Sequence, residues 1–179
     1  MLWRTHVMAG ISTLWLVQPV LLSSASGNFS NMGLLAALAT FGALVPDLDA
    51  GKSKIKYLRV GALQPFVPVS ALFHRTLGHR GLLHSLLGWG IFAALTLPLA
   101  LWWGWLPALA LILGYGSHLA TDAATKSGIP WLYPKRRRYH LMPKSLRLTT
   151  GSAAEDAVFA LFAMCALLLL LRQLPFGYS

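Results

Sequence analysis

Five apolar stretches dominate the chain, and two longer polar segments interrupt them. The apolar stretches cover residues 7–22, 32–48, 82–103, 105–124 and 153–171. A helix needs about 20 residues, within a range of about 17–25, to cross the hydrocarbon core of a bilayer. The last three stretches meet this length, the second is marginal, and the first is short unless its helix begins near Trp3. The pattern therefore predicts about five transmembrane helices.

The two polar segments, residues 50–80 and 125–151, contain several prolines. Proline lacks a backbone N–H and clashes with the preceding turn, so long regular helices are not expected in either segment. A chain of 179 residues fits one domain. The predicted fold is an all-α integral membrane helical bundle, with a single domain over residues 1–179.

Composition and charge agree with a membrane protein of defined orientation. Charged residues make up 11% of the chain, whereas a soluble domain has about 25%. Of the 15 basic residues, one precedes the first helix, six lie in the first polar segment, seven lie in the second, and Arg172 alone falls elsewhere. Basic residues of short loops stay on the cytoplasmic side. This distribution predicts a multi-pass inner-membrane protein with its N-terminus and both polar segments in the cytoplasm.

The first apolar stretch has an alternative interpretation as a cleaved signal peptide. Arg4, the apolar run after it and the small residues that follow are compatible with such a peptide. Cleavage would remove His6.

The lone cysteine, Cys165, cannot form an internal disulfide and indicates no oxidising compartment.

The polar side chains of the predicted helices gather at their cytoplasmic ends. Every helix contributes at least one imidazole or carboxylate there, and all five acids of the chain are included. Ionisable residues within membrane segments are rare, costly and usually functional. The residues concerned are His6, Asp47, Asp49, His79, His84, His118, Asp122, Glu155 and Asp156.

Local spacings favour a metal site. His118 and Asp122 are one helical turn apart and share a face. Pro46 disturbs the last turn of its helix, so Asp47 and Asp49 can converge despite their i, i+2 spacing. Mixed imidazole and carboxylate ligands suit zinc, manganese or iron. Six or more such ligands exceed the need of one zinc ion, and two-metal sites commonly hydrolyse phosphoesters.

Simpler explanations remain open for each group. His118 and Asp122 could form a helix–helix hydrogen bond, Asp47 and Asp49 could pair with nearby lysines, and Glu155 could be a helix N-terminal acid. For the run 135–138, topology and contact with lipid headgroups are favoured over nucleic-acid binding. Ser85 as a covalent nucleophile is a further alternative.

At these residues the sequence resembles the LexA-regulated, inner-membrane, metal-dependent hydrolase family of the YdjM type, over almost the whole chain. The matching motifs are Thr5-His6, Pro46-Asp47-Leu48-Asp49, His79-Arg80-Gly81 followed by His84-Ser85, Gly114-Tyr115-Gly116-Ser117-His118 through Asp122, Thr125 through Gly128 with Trp131 and Pro134, and Gly151-Ser152 through Glu155. Leu83 departs from the pattern, which has Thr before this histidine. The resemblance implies a membrane-bound metal hydrolase expressed in the SOS response. A looser likeness to zinc-dependent bacterial phospholipase C enzymes favours a phosphoester substrate.

The leading hypothesis is metal-assisted hydrolysis of a phosphoester in a lipid or lipid-linked substrate at the cytoplasmic face. One or two divalent ions, zinc or alternatively manganese, would be bound by His6, Asp47, His84, His118 and Asp122. Asp49 would be a further ligand or would orient one. Glu155 would bridge metals or act as base, Arg80 would hold the phosphate, and His79 would be a ligand or proton donor. Membrane lipids with anionic headgroups are the expected partners. A metal or proton transporter and a non-catalytic membrane scaffold are the rival functions.

Overall fold

The described part of the chain forms an all-helical bundle. A computed structural model describes residues 1–21, 32–49, 63–64, 67–68 and 81–173, and within these ranges it contains isolated bridge residues but no β-strand. The long helices are α1 (Trp3–Leu21), α2 (Met32–Leu44), α3 (Leu86–Trp103), α4 (Trp105–Ala123) and α5 (Ala153–Gln173). Their number and type confirm the predicted all-α membrane bundle.

Two helix ends differ from the predicted bounds because of local backbone chemistry. Helix α2 stops at Leu44 and continues as the short 3-10 helix Val45–Asp49, since Pro46 cannot donate the hydrogen bond that the α-helix requires. Helix α3 starts at Leu86, because the Ser85 hydroxyl caps it by accepting from the Gly88 N–H at 3.1 Å. His84 therefore belongs to a separate 3-10 turn, Leu82–His84, and not to the first turn of α3.

Helix α4 is the centre of the bundle. It packs against α1, α2 and α3, while α1 also contacts α2 and α5. Twelve of its 19 residues are buried. Its closest neighbour is α2, where a methyl group on Gly42 would lie 2.2 Å from the Leu111 carbonyl oxygen, and one on Gly114 would lie 2.1 Å from the Ala39 oxygen. Small residues at such crossings let two membrane helices approach closely.

Among the described residues, three segments are long and apolar enough to cross a membrane by length and composition alone: Met32–Asp49, Leu86–Trp103 and Ala153–Arg172. Helices α1 and α4 are each 19 residues long but carry buried polar side chains such as His6 and His118. Only 11% of the α3 and α5 spans is buried. Of the three apolar segments, α3 and α5 are therefore the outer ones, whereas the span that contains α2 is 44% buried. Helices α1 and α4 turn polar residues towards each other.

The second polar segment folds back onto the end of α4. Leu141 N–H donates to the Ala123 carbonyl at 2.9 Å, and Lys126 N–H donates to the Leu148 carbonyl at 2.9 Å. Ile129, which is buried, packs in a cluster with Val45 and Tyr115. As predicted, this segment contains no long helix, yet it is a folded part of the bundle.

Candidate metal centre

Six polar side chains from four elements meet at one end of the bundle. They come from α1, from the 3-10 helix that ends α2, from the 3-10 turn before α3, and from the last two turns of α4. Five are essentially inaccessible to solvent, and Asp47 has a side chain that is 20% exposed. The cluster consists of His6, Asp47, Asp49, His84, His118 and Asp122. The sequence predicted all six, and the structure brings them together.

Asp122 lies at the middle of the cluster, with its two oxygens directed to different histidines. Oδ1 is 3.4 Å from His6 Nε2, whereas Oδ2 is 3.7 Å from His84 Nε2 and 3.9 Å from His118 Nε2. His84 Nε2 and His118 Nε2 are 3.3 Å apart, and Asp47 Oδ1 is 3.9 Å from His118 Nε2. Two overlapping sets have all their possible ligand atoms within 4.8 Å of one another: His6, His118 and Asp122, and Asp47, His84 and His118.

The His118 ring is oriented by the backbone of α2. Its Nδ1 lies 2.7 Å from the Ala43 carbonyl oxygen, which can only accept a hydrogen bond, so Nδ1 carries the proton. In the neutral ring, Nε2 then has a free lone pair that faces the cluster. The close crossing of α2 and α4 at Gly42 and Gly114 brings this carbonyl within reach.

The His6 ring is oriented by Thr121. The Thr121 hydroxyl is 2.9 Å from both the Ser117 and His118 carbonyl oxygens and donates to them, so it accepts from His6 Nδ1 at 2.8 Å. Nε2 of His6 is thereby directed to Asp122. The ring also stacks on His118, with centroids 3.7 Å apart and planes at 19°.

The third histidine, His84, contacts a carboxylate through the ring nitrogen that faces away from the cluster. Its Nδ1 lies 3.3 Å from Asp49 Oδ2, while its Nε2 faces His118 and Asp122. Carboxylates and backbone carbonyls bonded to the outer nitrogen of a histidine are the usual partners of metal-binding imidazoles. This position gives Asp49 an orienting contact with His84, the second of the two predicted roles.

The donor set fits a divalent cation. With a proton on each Nδ1, the three Nε2 atoms and the carboxylate oxygens are all acceptors that face one another, and a cation between them satisfies them together. Ligand atoms at about 2.1 Å from a tetrahedral zinc ion lie about 3.4 Å from one another. The separations of 3.3–3.9 Å among the His84, His118 and Asp122 atoms are close to this spacing.

Glu155 lies beside the cluster and is occupied by other groups. Its Oε1 accepts from the Leu2 N–H at 2.5 Å and from the Thr5 hydroxyl at 3.1 Å, while Oε2 accepts from the Gly151 N–H at 2.6 Å. These contacts fasten the start of α1 to the start of α5. The predicted roles of Glu155 as a metal bridge or a base receive no support from them.

The remaining predicted residues are placed as follows. Asp156 pairs with Arg4 at the surface, and the Met1 amino group pairs with Asp122 Oδ1. His79 and Arg80 lie outside the described residues. The Ser85 hydroxyl donates to the Leu82 carbonyl at 2.6 Å and caps α3, so its contacts are those of a structural residue.

Sequence reasoning missed two groups that orient the histidines, namely Thr121 and the Ala43 carbonyl. The Thr121 position was detectable, since it precedes Asp122 and follows His118 by three residues, on a neighbouring face of the same helix. Its partner His6 is 115 positions away in sequence, so the pairing itself depends on how α1 packs against α4.

Comparison with known proteins places these features in a family context. The family model described as YdjM inner membrane protein matches residues 1–176. The chain is 31% identical over 163 residues to the protein YvsG of Bacillus subtilis (strain 168), covering 88% of this chain and 86% of that protein. It is 41% identical over 103 residues to the inner membrane protein YdjM of Escherichia coli (strain K12), covering 55% of this chain and 48% of that protein, about half its length. No solved structure matches.

Proposed function

Because the chain belongs to the YdjM inner membrane protein family and carries a buried cluster of imidazoles and carboxylates, we propose that it is a membrane-bound metal-dependent hydrolase. The proposed substrate is a phosphoester in a lipid or lipid-linked molecule, met at the cytoplasmic face. Zinc is the favoured ion, with manganese as the alternative, because both accept mixed nitrogen and oxygen ligands.

One observation carries the proposal: three histidines present their Nε2 atoms to one carboxylate, Asp122, and each ring has a separate contact at its Nδ1. Holding so many acceptors together in a buried site is costly unless positive charge lies among them. The Met1 amino group supplies one such charge at Asp122 Oδ1, whereas Asp122 Oδ2 faces His84 and His118. A purely structural cluster needs no such shared orientation. These contacts therefore support a metal site over simple hydrogen bonding between helices.

The available lone pairs limit how the ligands can be shared between one ion and two. His118 has one free nitrogen, since its Nδ1 bonds to Ala43, and that nitrogen binds one ion at a time. Asp122 has two oxygens that face different histidines. If two ions bind, Asp122 is the carboxylate suited to bridge them, the role that the sequence suggested for Glu155.

The protein groups of the site have separable tasks. His6, His84, His118, Asp122 and Asp47 would hold the ion or ions, which supply Lewis-acid activation of water and of the phosphoryl group when bound. Asp47 is the one member of the cluster with a partly exposed side chain. Asp47 therefore marks the side on which water or a substrate phosphate would approach the cluster, and an Asp47 carboxylate that binds no ion would be placed to receive a proton there.

The position of the cluster argues against the rival transporter. Its ligands lie at the ends of α1, α2 and α4 and in the turn before α3, whereas transporter sites lie near the middle of the membrane. The transporter would be favoured if the purified protein retained its metal and moved protons or metal ions across the membrane of proteoliposomes but hydrolysed no lipid.

The test combines metal content with hydrolysis. The full chain is purified with an affinity tag that contains no histidine, its zinc and manganese are measured by mass spectrometry, and hydrolysis of phosphatidyl lipids in mixed micelles is followed. Wild-type protein should bind one or two ions and lose activity on chelation. His118→Ala should lose both metal and activity, while His140→Ala, the same change outside the cluster, should keep both. The proposal would be refuted if wild-type protein contained no metal after incubation with zinc, or if His118→Ala kept both its metal and its activity.

A further inference from the structure

The folded second polar segment carries a concentrated positive charge. We call residues 125–148 the basic platform. It holds seven basic residues and no acidic residue. Six of these side chains are exposed, and Arg147 is partly buried. Within the described part of the chain none of them pairs with a carboxylate, because the only surface acid there, Asp156, pairs with Arg4. The seven are Lys126, Lys135, Arg136, Arg137, Arg138, Lys144 and Arg147.

Large apolar side chains are interleaved with these charges and are also exposed. Leu132 is 49% exposed, Leu141 54%, Met142 43% and Leu146 64%. An isolated exposed leucine needs no explanation, but four large exposed apolar residues interleaved with seven basic residues make this segment amphipathic in composition. Such a surface suits the boundary between headgroups and acyl chains, where the leucines enter the apolar layer and the cations stay among the phosphates.

The basic platform is hydrogen-bonded to the end of α4, next to the candidate metal centre. It begins three residues after Asp122, where the Thr125 hydroxyl donates to the Asp122 carbonyl at 2.7 Å. Leu148 N–H donates to the Ala124 carbonyl at 3.1 Å, and Tyr139 N–H donates to the Ile129 carbonyl at 2.9 Å. Gly128 turns the backbone at a φ of +59°, where a side chain would collide with the Tyr139 carbonyl oxygen at 2.6 Å. The backbone that carries these charges is therefore folded against the end of α4.

We propose that the basic platform lies flat on the membrane that the helices span and binds the headgroups of anionic phospholipids. The charge of the segment is complementary to an anionic leaflet, and its exposed leucines and methionine match the adjacent apolar layer. A nucleic acid would use the cations but leave the four apolar side chains in water. This proposal is independent of the hydrolase activity, because it depends on charge and exposure and not on a bound metal.

The test measures lipid selectivity directly on the full-length protein. Purified protein in neutral detergent micelles is titrated with phosphatidylglycerol or phosphatidylcholine, and bound lipids are counted by native mass spectrometry. We expect a marked preference for phosphatidylglycerol. Lys135, Arg136 and Lys144 are exposed and are replaced together by glutamine. Each removed charge should weaken phosphatidylglycerol binding about fivefold, or about 100-fold for the triple variant, with little change for phosphatidylcholine.

A matched control separates local from general charge effects. Arg136→Gln should weaken phosphatidylglycerol binding, whereas Arg172→Gln, an exposed arginine at the far end of α5, should not. Thermal unfolding followed by tryptophan fluorescence verifies that each variant is folded, and metal content should be unchanged. Equal binding of both lipids by the wild-type protein, equal effects of the two single variants, or tighter binding to a DNA duplex than to phosphatidylglycerol vesicles would each overturn the proposal.

Discussion

The hydrogen bond from His6 to Thr121 offers a sharp test of how the site is organised. Replacing Thr121 by valine keeps the shape of the side chain and removes the hydroxyl that accepts from His6 Nδ1 at 2.8 Å. The buried N–H then has no acceptor, which costs about 1–3 kcal/mol. The ring can avoid this cost by moving its proton to Nε2, where Asp122 Oδ1 is 3.4 Å away. A protonated Nε2 cannot bind a metal.

The expected loss follows from this competition. Groups that orient a metal-binding histidine contribute about 10–100-fold to metal affinity, which matches the cost of the buried N–H, since about 1.4 kcal/mol corresponds to tenfold. Thr121→Val should therefore bind zinc about 10–100-fold more weakly than the wild-type protein. Affinity is measured by competition with a zinc-sensitive dye in detergent solution.

Two control variants isolate the hydroxyl. Thr121→Ser keeps an oxygen at the same place and should retain wild-type affinity within a few fold. Thr96→Val removes a threonine hydroxyl that bonds only to a carbonyl of its own helix, that of Ala93 at 2.9 Å, and should leave zinc affinity unchanged. If Thr121→Val binds zinc as tightly as the wild-type protein, or if Thr96→Val loses as much affinity, the Thr121 hydroxyl does not orient His6 for metal binding.

Three further predictions test other parts of the account. Asp49→Asn should lower zinc affinity about tenfold without removing the site, because the carboxylate orients His84; loss of all bound metal in a zinc titration would instead make Asp49 a ligand. Gly114→Ala should lower the free energy of unfolding in detergent by about 1–3 kcal/mol or more, because its methyl group would collide with the Ala39 carbonyl oxygen. The control is Gly90→Ala on α3, where the added methyl group has open space, and it should not destabilise the protein. Glu155→Gln should lower the thermal unfolding temperature but keep the number of bound ions, because Glu155 holds the start of α1. A folded Glu155→Gln variant that loses an ion would instead make Glu155 a metal ligand.

The sequence was sufficient to predict the helices and the level at which their polar residues meet. Apolar length predicts how many spans are possible, and the alternating direction of successive spans predicts that His6, Asp47, His84 and Asp122 share one end of the bundle. These features depend on local composition, which is readable along the chain.

The contacts within the cluster could not be predicted in the same way. Which carboxylate becomes central depends on how each helix is rotated about its axis, and this is set by close packing such as that of Gly42 and Gly114 between α2 and α4. Asp122 on the central helix therefore faces three histidines, while Glu155 on the outer helix α5 faces the start of α1. The separation of His84 from α3 similarly depends on the Ser85 cap.

The most direct test of the central claim is anomalous X-ray scattering from crystals of the full chain grown with zinc. Data collected on either side of the zinc absorption edge locate the ion without reference to activity. We expect a peak about 2.1 Å from His118 Nε2 and from an Asp122 oxygen, with His6 or His84 as a further ligand. Zinc bound only elsewhere, or these side chains directed away from each other in the electron density, would contradict it.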